Sequence, residues 1–414
     1  MSDATDAQLA AQYEAFPYPR RDPRDEARRL IVGSPGHLRE IDYWIYGARR
    51  PASRPLRALF AGGGTGDGTL MLAQQMTTAA RAGSVTWLDR SAASLRIAQA
   101  RAAARGLTSI VWESRSLLDL PGSGLGPFDY IDCCGVLHHL PDPAEGLRAL
   151  TSVLAPDGGL GLMVYAPHGR TGVYMVQDAL RLLTPPGEAP PARLDVARRV
   201  MRHLPETAWL RQNRFLDDHV NGGDAGLYDL LLNPRDRAFS VTQFAALLAG
   251  AGLRVACWVE PLRYDPMFWL PDPKLRARVE ALDATGRAAL AEALAGNINA
   301  HIVYCVRDDA APERADPLAD DAVPIGREVT GEQLAGYIQP DGALTMGFDG
   351  LRAPIPLPAM APAILRLVDG RRSVGEIGAT LAARGSKPEA YGRAWRATFA
   401  ALEQVNRLLL AAPE

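Results

Sequence analysis

Leu56-Arg57-Ala58-Leu59-Phe60-Ala61-Gly62-Gly63-Gly64-Thr65-Gly66-Asp67-Gly68 carries a short apolar run straight into glycines, and a helix-like pattern, Thr69-Leu70-Met71-Leu72-Ala73-Gln74-Gln75, follows at once. A buried strand thus delivers the backbone into a turn that only glycine can make, and a helix starts immediately after it. In such a turn a ligand can lie against bare backbone, near the positive end of the helix dipole. The glycines at 62, 64 and 66 give a G-x-G-x-G spacing. The dinucleotide fingerprint G-x-G-x-x-G would put glycine at 67 or 69, where Asp67 and Thr69 stand, and the phosphate-cradling G-x-x-x-x-G-K-[ST] is absent. The loop reads as built for a nucleoside without a pyrophosphate, with an ordinary glycine-rich turn as the competing reading.

Working outward, strands and helices alternate. Leu56–Ala61 is the first strand and Thr69–Ala80 the first helix. Ser84–Leu88 is a second strand ending at Asp89, and Ser91 caps a helix that Gly106 stops. Ile110–Trp112, Tyr130–Cys134 and Leu160–Tyr165 are further strands, with a helix over Pro143–Leu154 closed by Pro156-Asp157-Gly158-Gly159. This alternation implies an α/β fold with a doubly wound, mostly parallel sheet whose ligands gather at the strand C-terminal ends. Residues 167–238 read as a mostly helical insert with turn-rich breaks at Thr184–Pro191 and Asn221–Gly226. Helix Ser240–Gly250 and strand Leu253–Glu260 resume the alternation, a second insert covers about 261–294, and Ile298–Arg307 is the last strand. The domain at 51–310 then gives way to an alanine-, aspartate- and proline-rich linker at 311–324 and a small unit at 325–414.

At 414 residues the chain exceeds one ordinary core, so two domains or one domain with extensions are expected. A net charge of −2 with interspersed signs argues against a nucleic-acid surface. No apolar run approaches the ~18–20 residues that span a membrane. The polar, acidic start Met1-Ser2-Asp3-Ala4-Thr5-Asp6 predicts no secretory signal. Cys133, Cys134, Cys257 and Cys305 suit neither a metal site nor a disulfide framework, so a reducing cytoplasm is the expected setting.

Residues 1–50 form an aromatic- and arginine-rich preface. Prolines at 17, 19 and 23 forbid a helix through Tyr13-Glu14-Ala15-Phe16-Pro17-Tyr18-Pro19-Arg20-Arg21-Asp22-Pro23. His37 to Tyr46 has apolar residues at 38, 41, 44 and 45, a helical spacing. A free tail rarely concentrates Tyr43, Trp44 and Tyr46, so the preface reads as a lid over a site.

Asp89 follows the second strand about twenty residues beyond the glycine loop, where open α/β sheets place a carboxylate on a ribose diol. Ser116-Leu117, after the third strand, is placed to meet an adenine edge and face, with a plain loop as the alternative. The fourth strand runs into Gly135-Val136-Leu137-His138-His139-Leu140-Pro141-Asp142-Pro143. On these residues the sequence resembles the class I S-adenosylmethionine-dependent methyltransferases. AGGGTG at 61–66 matches the family's glycine loop, Asp89 its ribose acid, and GVLHHLPDP at 135–143 its post-strand signature. The resemblance implies a Rossmann-like fold over roughly 50–310, S-adenosylmethionine as cofactor, and cofactor contacts from Gly62, Gly64, Gly66, Asp89, Ser116, Leu117 and Gly135. Many members place an acid two residues before the first glycine; here Phe60 stands there, so contacts to the methionine end are expected from Asp67 or from Tyr18 and Arg20 of the lid. The segments 13–21, 34–50 and 164–174 are similar to a bacterial subgroup that often carries protein-interaction modules.

An activated sulfonium methyl mainly requires alignment of its nucleophile and exclusion of water. A general base is needed only for a nucleophile that arrives protonated. His138, Tyr165 and His168 are the candidate catalytic residues, although the His138-His139 doublet is common to the family whatever the substrate. The first insert adds Tyr174, Asp217, Asp218, His219, Tyr228, Asp229, Asn233 and Arg235. Carboxylates near the transferred methyl suit a basic acceptor such as an amine, guanidinium or imidazole; a solvated helical face is the bland alternative for each.

The C-terminal unit shows a β-like start at Ile338-Gln339-Pro340-Asp341-Gly342, a helix–turn–helix pattern over 361–377 and a final amphipathic helix with Trp395, Phe399, Leu402 and Val405. It resembles the small winged-helix modules related to PqqD, which grip peptides along a sheet edge. The reading is methyl transfer to a nitrogen on a protein or peptide, without nucleic acid or membrane. Alternatives are a small-metabolite methyltransferase whose C-terminal unit is a lid or homodimer contact, a non-catalytic regulator binding the same cofactor, and a nicotinamide oxidoreductase, which the missing fingerprint disfavours.

Overall fold

The computed structural model describes residues 2–185, 187–310 and 313–414. Met1 of the lid, Pro186 of the first insert's turn and Ala311-Pro312 of the linker lie outside the described residues.

The sheet's strands are β1 (Leu56–Ala61), β2 (Gly83–Asp89), β3 (Ile110–Ser114), β4 (Phe128–Cys134), β5 (Leu154–Tyr165), β6 (Leu253–Trp258) and β7 (Ala300–Arg307). They form one seven-stranded sheet in the order β3-β2-β1-β4-β5-β7-β6. β7 is antiparallel to both neighbours and the other pairings are parallel. Alternation along β1 sends Ala58 and Phe60 into one core and Leu59 and Ala61 into another, which is why its apolar residues are nearly continuous. β5 begins earlier than its sequence predicts. Leu154 pairs with Phe128 and Gly159 with Tyr130, so the Pro-Asp-Gly-Gly turn survives inside the strand as a register shift.

The N-terminal preface is folded. Helix α1 spans Ser2–Ala15, with Pro17 and Pro19 just beyond its end. Pro23 opens a 3-10 turn over Pro23–Ala27, where a missing N–H costs nothing. The helical spacing at 38–45 appears as Leu38–Glu40 followed by a wider π-turn, Ile41–Ile45, with Tyr43 and Trp44 buried.

The first insert contains helices Val173–Leu183, Pro190–His203 and Gly223–Leu232 around a core of Val173, Leu180, Leu194, Tyr228 and Leu231. The break expected over Asn221–Gly226 narrows to Gly222, since helix Asp218–Asn221 ends just before it and the next helix begins at Gly223. In the C-terminal unit β8 (Pro324–Gly326) pairs antiparallel with β11 (Leu408–Leu410), while β9 (Ala343–Phe348) and β10 (Leu351–Pro356) form a hairpin. Helices Gly331–Tyr337, Ala361–Leu365, Val374–Ala383 and Pro388–Gln404 complete it. Its core is continuous with that of the sheet. The seam is polar as well: Trp44 Nε1 donates to Asn406 at 3.1 Å, and the Tyr43 hydroxyl to Glu403 at 2.5 Å.

Candidate functional site

A cavity of about 560 Å³ opens at the C-terminal ends of β1, β2 and β4, lined by Gly62–Gly68, Asp89, Ser116, Leu117, Asp132, Cys134 and Gly135. A larger hollow of about 680 Å³ runs along β6 and the residues expected to carry chemistry do not line it.

The glycine loop shapes one wall. Gly62, Gly64 and Gly66 have φ of 81°, 50° and 100°, backbone that side-chain-bearing residues resist. A Cβ at Gly62 would stand 2.2 Å from Val136 Cγ2, and one at Gly63 2.2 Å from Trp87 Cδ1. At Gly64 the nearest atom would be the Tyr18 carbonyl oxygen at 3.4 Å, so bare backbone faces the cavity beneath the preface. Asp89 receives the Gly64 N–H at 2.9 Å on one carboxylate oxygen and the Ser91 N–H at 2.9 Å on the other. Those bonds orient the carboxylate, while burial raises its pKa above the ordinary value.

The preface closes over this loop. Tyr18 and Pro19 line the cavity, and Thr65 Oγ1 donates to the Pro19 carbonyl at 2.9 Å. Arg20, expected at the cofactor, is exposed and does not line the cavity; the half-buried Arg21, also outside the lining, turns onto Asp67. Its guanidinium meets Asp67 at 2.6 Å, and Arg101 meets the other Asp67 oxygen at 2.6 Å. Burial opposes the Asp67 charge, but the two arginines hold its carboxyl below the usual range. Asp67 therefore staples the preface to the loop and offers no open carboxylate to a ligand. Ser116 lines the wall as the cap of a 3-10 turn, its hydroxyl accepting from the Leu118 N–H at 3.2 Å.

The far end of the cavity gathers residues from three distant segments. Asp229, 4 % exposed, accepts the Tyr13 hydroxyl at 3.1 Å and the Tyr165 hydroxyl at 3.0 Å. Gln12 and Asn233 lie at 3.4 and 3.5 Å from the same carboxylate. Burial and Asp229 together push the Tyr13 and Tyr165 hydroxyls well above the phenol range, so both remain neutral donors. At the rim Asp6 of α1 pairs with Arg235 at 2.6 Å.

The catalytic candidates divide. Tyr165 lines the cavity; His138 and His168 do not. The His138 ring is fully buried, 4.0 Å from the Tyr165 ring, and neither ring nitrogen has a hydrogen-bond partner. Burial, with His139 and Arg170 nearby, depresses its pKa well below the imidazole value, so it packs as a neutral aromatic. His168 is exposed, and its carbonyl accepts the Thr171 hydroxyl at 2.6 Å. His139 is the member of the doublet on the cavity, with Nδ1 2.6 Å from the Arg235 carbonyl, an acceptor that assigns the ring proton to that nitrogen. Within the polar set of the insert, Asp229 and Arg235 line the cavity, whereas Asp217 is exposed and bonded to Asn221. The sequence reading passed over Asp132, the buried acid of β4, and α1, whose residues contribute to the acceptor end.

Residues 59–160 match the family described as Methyltransferase domain. The chain is 34% identical to the ubiquinone biosynthesis O-methyltransferase of Caulobacter sp. over 157 residues, 36% of this chain and 58% of that one. PKMT2 from Rickettsia typhi, solved in complex with AdoHcy, shares the fold with a TM-score of 0.63 at 15% identity, covering 91% of this chain and 75% of that one. Bare glycine backbone, a carboxylate held by amides beyond β2 and the lack of a phosphate-binding lysine in the loop all fit an adenosyl cofactor without phosphates. The chain is an S-adenosylmethionine-dependent methyltransferase. It belongs to the same family as uncharacterized protein syc1184_c of Synechococcus sp., 32% identical over 306 residues that cover 71% of this chain and 70% of that one.

Proposed function

We propose that this methyltransferase acts on a nitrogen of a protein or peptide, with Asp229 as the carboxylate that receives the acceptor. The observation behind this reading is the Asp229 carboxylate beside the cavity, braced by Tyr13 and Tyr165 and lacking an ion-pair partner among the described residues. Bound S-adenosylmethionine supplies an electrophilic sulfonium methyl. Asp229 holds an incoming ammonium and takes its proton, freeing the nitrogen lone pair. Tyr13 and Tyr165 keep the carboxylate aimed, and α1 excludes water. At the other end Asp89 receives the ribose hydroxyls, Gly64 backbone lies under the nucleoside, and Ser116-Leu117 border the adenine.

A protein substrate is supported by the β9–β10 hairpin: Ile338 bridges β9 at Leu344, and the outer edge of β10, less the N–H groups of Pro354 and Pro356, is left for an added strand. The resemblance of 325–414 to PqqD-like winged-helix modules points the same way. A cytoplasmic setting suits the four free cysteines. The second reading, a small amine metabolite, draws support from α1 itself, which covers the acceptor end through Tyr13 and the Asp6–Arg235 pair.

Labelled methyl transfer into a lysate of cells lacking the protein, separated into protein and small-molecule fractions, tests the proposal. Label in the protein fraction that Asp229→Asn reduces at least 100-fold, with cofactor affinity unchanged, is the expected result. Label only in small molecules rejects the protein substrate, and full activity in Asp229→Asn rejects the acceptor site.

A further inference from the structure

Four carboxylates line the cavity without an ion pair to any described arginine or lysine: Glu14, which accepts from the Ser91 hydroxyl and the Ala93 N–H, and Asp89, Asp132 and Asp229. The other aspartates on its wall are neutralised, Asp67 by Arg21 and Arg101 and Asp6 by Arg235. Asp89 stands beyond β2 and Asp229 at the acceptor end with Tyr165. Asp132 has been given no work.

Asp132 is 5 % exposed and lies on β4 in register with Phe60 of β1. The Tyr130 hydroxyl donates to its Oδ2 at 2.9 Å, which orients it without supplying charge. Its other surroundings are the Phe60 ring, Met71 and the backbone of Gly36: a Cβ on Gly36 would come 3.1 Å from Asp132 Oδ2, 3.3 Å from Phe60 Cε1 and 3.5 Å from Met71. The strap Gly33-Ser34-Pro35, also on the cavity wall, covers this corner. Burial lifts the Asp132 carboxyl to about 7 against the hydrogen bonds from Tyr130 and the Cys134 amide, as expected where the protein provides no counter-charge. A carboxyl kept in an apolar corner of a ligand cavity is either protonated there or ionised against a cation that the ligand brings.

Away from its sulfonium the cofactor carries one further cation, the protonated α-amino group of its methionine end. We propose that Asp132 is the carboxylate that receives this ammonium, the acid having moved from β1, where Phe60 leaves no charge, to the neighbouring position on β4. Adenosyl recognition stays with Asp89, and acceptor recognition with Asp229. The inference rests on the cofactor and not on the acceptor, so its failure would leave the reading of Asp229 untouched.

The test compares equilibrium binding of S-adenosylhomocysteine, its analogue lacking the α-amino group, and 5′-methylthioadenosine, which lacks the whole amino-acid end. Wild-type protein is expected to bind the deaminated analogue at least tenfold more weakly than S-adenosylhomocysteine. Asp132→Asn is expected to lose at least tenfold for S-adenosylhomocysteine, to stop distinguishing it from the deaminated analogue, and to bind 5′-methylthioadenosine within about twofold of wild type. Equal loss on all three ligands, or discrimination that survives in Asp132→Asn, overturns the proposal. Should the variant fail to fold, wild-type protein that ignores the missing amino group overturns it alone.

Discussion

At Asp89 both carboxylate oxygens already accept a backbone N–H, from Gly64 and Ser91, so the side chain ties the glycine loop to the turn beyond β2. Asp89→Ala should weaken S-adenosylmethionine binding at least tenfold, about 1.4 kcal/mol, by calorimetry. Unchanged affinity would remove the ribose contact from this residue. His37 supplies a pH dependence. Its ring is 4 % exposed and Nδ1 accepts the Arg39 N–H at 3.2 Å as a helix cap. Burial, with Arg327 beside it, depresses its pKa to about 3. An unfolded imidazole protonates near 6.5, so the unfolded state holds more protons between those values and stability falls as pH drops through that window. His37→Asn keeps a capping oxygen and removes the titration. Between pH 7 and pH 5 wild type should lose about 2 kcal/mol more stability than this variant in denaturant melts; parallel losses would refute the assignment.

Elements meet the site through straps rather than through the sheet alone. The segment 33–36 borders the cavity, and Arg327, just beyond β8, donates to the Gly33 carbonyl at 2.7 Å and to Ser34 Oγ at 2.9 Å. The same guanidinium pairs with Glu40, which also accepts from Asn406 at 2.6 Å and Tyr304 at 2.6 Å. Burial opposes the Glu40 charge, yet Arg327 and these donors hold its carboxyl below the ordinary range. Arg327→Met leaves that buried carboxylate short of its cation. A loss of about 3–5 kcal/mol is expected, together with weaker cofactor binding as the strap loses its anchors. A stability change under 1 kcal/mol in urea titration would show that the network is ornamental.

For the whole molecule, the 325–414 unit shares one continuous hydrophobic core with the sheet that carries the glycine loop. Asn406 and Glu403 complete the hydrogen bonding of Trp44 and Tyr43, and Trp395 Nε1 donates to the Pro317 carbonyl at 2.7 Å across the linker. Removing residues 311–414 should expose Trp44, unpair Glu40 and give aggregated protein without cofactor affinity, as judged by size-exclusion chromatography and calorimetry. A monomeric, cofactor-binding truncation would show instead that the unit is an independent module. Substrate gripping is therefore better tested on the hairpin's exposed positions than by deletion. Within the described residues no helix is long and apolar enough to cross a membrane.

The sequence by itself determined the strands, the glycine turn and the nucleoside-type loop, because periodicity and turn chemistry act over windows of a few residues. It also marked the preface as packed and not a free tail, since aromatics as concentrated as Tyr43, Trp44 and Tyr46 predict a buried face. Only the tertiary structure decided which polar residues converge. Tyr13 and Asp229 are 216 positions apart, and their meeting depends on α1 docking against the insert. Packing likewise withdrew His138 into the core, left Arg20 and His168 in solvent, closed Asp67 between two arginines and brought Asp132 to the wall beside Phe60. Local sequence specifies backbone; the charge that a carboxylate meets is set by whatever the rest of the chain places around it.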